Sequence, residues 1–224
     1  MIKVDLISRS IHLMGSTITI SILHEDADSL LDQVFSLLRL YEKRFSANDD
    51  SSELMQINHA AGKHAVCVHP DLFELIELGK KHSLAPDSHL NITLGPLIQT
   101  WRIGFADAKV PSPKEIKQAL ALTDPECIEL DAATSSVFLT MEGMKIDLGA
   151  LAKGYIADKI AAFLRGQGVT SALINLGGNI LTIGLNEKNN RCWRIGIQNP
   201  ILPRENNLAL LSVQNQSVVT SGIY

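Results

Sequence analysis

Residues 146–164 read IDLGALAKGYIADKIAAFL. The opening IDL has the apolar-polar-apolar order of the end of a half-buried strand. Gly149-Ala150 then lets the backbone turn tightly and leaves room for a ligand to approach it. Beyond the turn, Ala152, Ile156, Ile160, Phe163 and Leu164 recur at helical spacing, so the stretch predicts strand, turn and amphipathic helix. Lys153 falls in the first turn of that helix. The N–H groups of a first turn have no intrahelical partner and carry the positive end of the helix dipole, which suits an anionic ligand. A cation at that place opposes the dipole and costs a little stability. Either Lys153 runs its stem out to solvent, or it is kept in an unfavourable position for a ligand.

N-terminal to this stretch, KVDLIS (3–8) and TITISILH (17–24) alternate as strands do, with Met14-Gly15-Ser16 between them. DADSLLDQVFSLLRLYEKRFS (26–46) places Leu30, Val34, Leu37, Leu38, Tyr41 and Phe45 on one helical face, with Asp28 or Ser29 as its cap. The polar run after it reads as a loop leading into a short helix near Ser52 to Asn58. A further helix follows His69-Pro70, with Leu72, Leu75 and Ile76 inward. APDSHLNITLGPLIQTW (85–101) is β-prone and broken by Gly95-Pro96. SPKEIKQALAL (112–122) has Ser112 as N-cap, Pro113 in the first helical position and Glu115 where a capping box needs it.

The remainder is β-rich. CIELDAATSSVFLTMEGMKIDL (127–148) predicts a hairpin or meander, SALINLGGNILTIGL (171–185) and CWRIGIQNP (192–200) two further strands, and LALLSVQNQSVVTSGIY (208–224) a β pair. Helices mixed with many short strands, without regular βαβ alternation, give an α+β class.

Two further stretches have chemical interest. The Gly177-Gly178 pair interrupts the apolar run LINLGGNI (173–180), which implies either a simple bulge or a closely approaching ligand or backbone. It is not a dinucleotide fingerprint, because GxGxxG is absent and no helix follows, and no P-loop occurs. In HLNITLGPLIQTW (89–101), Asn91 and Thr93 flank a Gly-Pro turn that runs on to Trp101. His12, His24, His59, His64, His69, His82 and His89 have no metal-ligand spacing and read as surface or loop residues. Cys67, Cys127 and Cys192 form no CxxC pair and read as buried, reduced thiols of a cytoplasmic protein. The formal net charge of -4 argues against a nucleic-acid partner. No run of apolar residues has transmembrane length, and the N-terminus has no signal-peptide core.

Taken in order, MGS (14–16), RFSANDDSSELMQIN, LNITLGPLIQTW, IDLGALAKGYIADK, LINLGGNI, WRIGIQNP and VVTSGIY resemble one family: the ApbE-type FAD:protein FMN transferases. The resemblance covers essentially the whole chain and centres on DLGALAKGY. It implies one ApbE-like (T-fold-like) domain over 1–224, with mixed, mainly antiparallel sheets and packed helices. It also implies FAD as substrate, Mg2+, and transfer of FMN to a Thr or Ser hydroxyl of an acceptor flavoprotein with release of AMP. The alternatives are an FAD pyrophosphatase giving FMN and AMP, and a non-catalytic flavin-binding protein.

Carried over by position, the resemblance implies FAD contacts at Met14, Asn48, His89, Leu90, Asn91, Asp147, Lys153, Gly177, Gly178, Thr220, Ser221 and Gly222. It assigns a metal contact to the backbone carbonyl of Ala150, a hard oxygen suited to magnesium. Asn48 stands where the family often has an aromatic residue, and Asn91 where it commonly has Asp. The family continues past the point where this chain reaches TSGIY, so the resemblance implies a domain truncated at its C-terminus. The other metal ligands and an acid/base group would then lie beyond Tyr224, and the chain alone would bind FAD and metal weakly and transfer poorly.

Overall fold

The computed structural model describes residues 5–102, 105–186, 188–203 and 206–221. By its contacts the chain divides into two compact units: Met1–Leu40 with Lys153–Tyr224, and Tyr41–Ala152. The fold is α+β, as the sequence pattern predicts, and its strand pairs are all antiparallel.

The first unit is built on a five-stranded sheet in the order β1 (Leu6–Leu13), β2 (Ser16–Leu23), β6 (Ser171–Leu176), β7 (Asn179–Ile183), β10 (Ser217–Val219). Alternation in TITISIL sends Ile18, Ile20 and Ile22 to one face, opposite Leu176, Ile174 and Ala172 of β6, and all six are fully buried. On the reverse face, Ser8 donates to Ser21 at 2.7 Å, and Ser10 and Thr19 bond at 2.8 Å. The ribbon of β8 (Trp193–Gln198) and β9 (Asn207–Val213) also packs on that face. Its Trp193, Ile195 and Val213 bury against Leu6, Leu173, Ile180 and Val218. The strands expected over 208–224 therefore form but do not pair with each other: β9 joins β8, and β10 joins β7. The unit also holds residues 27–40 of helix α1 (Ala27–Phe45) and most of α6 (Ala152–Gly166), which buries Ile156, Ala157, Ile160, Ala161 and Leu164. Phe163, expected on that face, is half-buried.

Helix α1 starts one residue before the expected caps. The His24 ring accepts from Asp26 N–H at 3.1 Å and the His24 carbonyl from Ala27 N–H at 3.3 Å, so a closed turn launches the helix. Asp28 then lies within the first turn, where its charge suits the dipole.

The second unit packs α2 (Glu53–Ala60), α3 (Pro70–Ser83), α4 (Gly95–Trp101) and α5 (Pro113–Leu120) with a three-stranded sheet, β3 (Val66–Cys67), β5 (Ser136–Leu139), β4 (Ile128–Asp131). Its caps follow the sequence closely. Ser52 caps α2 by accepting from Met55 N–H, and His69 caps α3 by accepting from Asp71 N–H. Ser112 and Glu115 form the full capping box on α5; Lys109 and the Ser112 groups bonded to Glu115 hold its carboxyl down to about 2. The β-prone run 89–94 is not a strand. Gly95-Pro96 opens α4 instead, because proline is pre-set for the first turn of a helix and supplies no N–H to a ladder.

The IDL of residues 146–148 is also not a strand. Asn58 Oδ1 accepts from Ile146 N–H at 2.8 Å, and Asn58 Nδ2 donates to the Ile146 carbonyl at 3.1 Å. Next to it, Asp147 N–H donates to the Ile92 carbonyl at 2.8 Å. One buried amide thus does for Ile146 what a neighbouring strand would do. Replacing Asn58 by alanine leaves both groups of a fully buried residue unsatisfied, and unfolding in urea should show a loss of about 2 to 3 kcal/mol. A loss under about 1 kcal/mol would mean that the amide is not what holds this segment.

Candidate functional site

In the first unit, three chain turns bring sequence-predicted residues together. The glycine pair is not a bulge within a strand but the two-residue turn of the β6–β7 hairpin, closed by the pair Leu176–Asn179. Both glycines have positive φ, +64° at Gly177 and +93° at Gly178, as the tight hairpin turn favours. The Asn175 side chain fixes the turn by accepting from Gly178 N–H at 2.9 Å, and the Gly178 carbonyl accepts from Thr220 N–H at 3.1 Å. The second turn, Met14-Gly15 between β1 and β2, also has positive φ, 52° and 67°. The third element is the first turn of α6, which carries Lys153.

The close approach is specific. A Cβ on Gly177 would lie 2.3 Å from Ser16 Oγ and 2.5 Å from Ser16 Cβ, with Lys153 Nζ at 3.4 Å. Lys153 Nζ donates to Ser16 Oγ at 3.3 Å. A Cβ on Gly154 would stand 3.6 Å from Asn179 Nδ2, so the start of α6 lies beside the start of β7. The result is a half-buried lysine whose ammonium lies beside a turn with no side chain of its own, next to the donor-rich beginning of a helix. Such an arrangement suits an anionic group with backbone-close contact, of the phosphate type. Thus Met14, Lys153, Gly177, Gly178 and Thr220 belong to one neighbourhood. Ser221 follows Thr220 and is exposed. Gly222 lies outside the described residues.

In the second unit, Asn48 and Asp147 line one cleft of about 380 Å³ together with Met55, Ile98, Arg102 and Phe105. Arg102 bonds Asp107 at 2.7 Å, which holds that carboxyl below its usual range, and its guanidinium lies 4.6 Å from the Phe105 ring centre. Lys145, also on the cleft, donates to Gln99. Asp147 Oδ1 accepts from Gly149 N–H at 2.8 Å. His89, Leu90 and Asn91 are not among the residues lining this cleft. His89 is exposed, and Leu90 N–H donates to Ser88 Oγ at 3.1 Å. The Asn91 amide is occupied internally. It accepts from Thr93 N–H at 2.8 Å and Thr93 hydroxyl at 2.6 Å, and it donates to the Thr123 carbonyl at 2.8 Å.

Ala150 is exposed, in the turn before α6. Among the described residues no group of three or more His, Cys, Asp and Glu side chains is placed to hold a metal ion. Among the described residues, side chains alone therefore do not make a magnesium site. The histidines are exposed except His24, which is half-buried. The three cysteines are free but not buried: Cys67 is exposed and Cys127 and Cys192 half-buried, because each lies at the end of a short strand or turn rather than on an inward position. No helix among the described residues is long and apolar enough to cross a membrane.

Ser16 belongs to the same neighbourhood, although the MGS turn alone does not single it out. The residue that opens β2 sits across the sheet from the β6–β7 turn, since Ile18 pairs with Leu176.

The ApbE family profile matches residues 14–224. The chain is 45% identical over 217 residues to an FAD:protein FMN transferase of Klebsiella pneumoniae, a match covering 97% of this chain and 66% of that protein. It is 37% identical over 211 residues to an FAD:protein FMN transferase of Treponema pallidum, covering 89% and 58%. The chain therefore spans slightly under two thirds of the first of these relatives and less of the second. In fold it is similar to the flavin transferase ApbE from Vibrio cholerae, with a TM-score of 0.87 at 23% identity over 99% of this chain and 72% of that one. An ApbE protein from Thermotoga maritima gives the same TM-score of 0.87 at 23% identity, over 97% and 71%. With the profile matching nearly all of its length, the chain belongs to the ApbE family.

Proposed function

We propose that this chain is part of an FAD:protein FMN transferase. The observation that carries the reading is the Lys153 ammonium, held 3.3 Å from Ser16 Oγ beside a glycine turn that admits no Cβ. The names of the relatives supply the substrate class. In this reading a hydroxyl oxygen of a Thr or Ser in an acceptor flavoprotein bonds to the FMN phosphorus of FAD. The anhydride P–O bond breaks, AMP leaves with the bridging oxygen, and the hydroxyl proton is released. Phosphoryl transfer depends on positioning and charge neutralisation more than on covalent chemistry. Lys153 supplies charge to the diphosphate, and Gly177 and Gly178 let the ligand come close to the backbone. Met14, Thr220 and Ser221 are proposed neighbours of the same ligand. Asn48, His89, Leu90, Asn91 and Asp147 are proposed FAD contacts of the second unit.

Magnesium dependence belongs to the same proposal, with the Ala150 carbonyl as this chain's donor. When bound, the ion would neutralise pyrophosphate charge, as Mg2+ does when it keeps most of its waters and takes few protein ligands. A cytoplasmic setting is proposed from the three free cysteines, which suit a reducing compartment.

The test incubates the protein with FAD, magnesium and an acceptor carrying a threonine or serine site. Flavin fluorescence that stays with the denatured acceptor supports transfer. Free FMN with no covalent flavin would support the pyrophosphatase reading instead, and bound FAD without turnover a non-catalytic binder.

A further inference from the structure

We infer that Ser16 is a positioning residue for the flavin diphosphate: its hydroxyl fixes the Lys153 ammonium beside the Gly177 turn. The inference rests on the transferase reading of this site and adds a residue to it. Ser16 Oγ accepts from Lys153 Nζ at 3.3 Å, across 137 positions of sequence. Its own proton goes to the Leu13 carbonyl at 3.4 Å, across the Met14-Gly15 turn. With its proton committed to Leu13, the hydroxyl presents lone pairs to the ammonium, so the chain of bonds has one direction: Lys153 to Ser16 to Leu13.

The location of Ser16 limits where the ammonium can go. Ser16 opens β2, whose residues Ile18, Ile20 and Ile22 are fully buried in the sheet, so its Cα is not free to drift. It also fills the space that a Cβ on Gly177 would need. A lysine has a long, flexible stem, and an unanchored ammonium at the head of a helix would be driven outward by the dipole. Ser16 offsets that drive and holds the charge where a group resting on the glycine turn would meet it. Serine is suited to the task by size, since its Oγ already stands beside the Gly177 turn and a longer side chain would occupy the ligand's place.

FAD titration of the 224-residue chain, followed by flavin fluorescence, tests this. Ser16→Ala should weaken FAD binding roughly tenfold, the value of one hydrogen bond to a charged group. Ser16→Thr, which keeps the acceptor oxygen, should recover most of that loss. Ser16→Cys, with nearly the same shape and a weaker acceptor, should fall between serine and alanine. In a Lys153→Met background Ser16→Ala should change the affinity no further, because its effect runs through the ammonium. A merely structural role predicts something else: equal losses in both backgrounds. Wild-type affinity in Ser16→Ala, or equal losses with and without Lys153, would overturn the inference. If Lys153→Met still lost binding in that case, the transferase reading would stand. Absence of saturable FAD binding to the wild-type chain would sink that reading and the inference with it.

Discussion

Replacing Lys153 by methionine is expected to weaken FAD binding by about a hundredfold while leaving the chain as stable to heat as before, or slightly more so. The two halves of that result come from different physics. The structure brings the ammonium to the Gly177 turn, 3.4 Å from where a Cβ would stand. Bonds from a charged donor to a phosphate oxygen are worth about 1.5 to 3 kcal/mol net, and each 1.4 kcal/mol is tenfold in affinity. Stability should move the other way, if at all. Lys153 sits in the first turn of α6, where a cation is disfavoured by a few tenths of a kcal/mol, and it donates to the Ser16 hydroxyl at 3.3 Å. Methionine is a good helix former and covers the same surface with its stem. A residue retained for packing would behave in reverse, with a drop in melting temperature and no specific loss of FAD. That pattern would remove Lys153 from the site.

Substituting Gly177 should have the largest effect on the folded state. Alanine there meets two separate costs. The φ of +64° is strained for an L side chain by about 1 to 3 kcal/mol. The new Cβ would also lie 2.3 Å from Ser16 Oγ and 2.5 Å from Ser16 Cβ, atoms close to the backbone of an ordered strand that cannot swing away. Together they predict a loss of about 3 kcal/mol or more in chemical unfolding, and displacement of Ser16 from Lys153 with it. Gly15 is the internal control. It has φ +67°, but an added Cβ meets nothing within 4 Å, so Gly15→Ala should show the strain alone. If the two variants lose the same stability, the close approach at Gly177 is not tight, and the cradle is looser than described.

Much of this site was legible because chemistry and periodicity agreed there. DLGALAKGY marked a helix start with an ill-placed lysine, and LINLGGNI marked a glycine pair where a bulge or a close approach was expected, which the structure shows to be a hairpin turn. What the sequence could not supply was the partner of each. A run of alternating residues says that a strand forms, not which strand it meets, so β9 and β10 were expected together and are found on different neighbours. Nor can a pattern foresee that one side chain will replace a ladder. Asn58 bonds both the N–H and the carbonyl of Ile146 from 88 positions away, which is why IDL is held in place without being a strand. In LNITLGPLIQTW the β-branched residues were outweighed by a local rule, since Gly95-Pro96 fits a helix start better than a strand. Asn91 illustrates the same limit at a candidate site residue. Its position was readable from the motif, but the three bonds that occupy its amide, with Thr93 and Thr123, were not. Ser16 was not legible for a similar reason, because its place beside Lys153 and Gly177 joins residues 137 and 161 positions further along the chain.

The ammonium at the glycine turn is proposed to recognise the diphosphate of FAD and not its ring. Comparing the affinities of FAD and riboflavin, which has the same ring and no phosphate, tests this directly in the wild-type chain and in Lys153→Met. The account predicts a strong preference for FAD in the wild type that collapses toward the riboflavin value in the variant. An undiminished preference for FAD in Lys153→Met would contradict it.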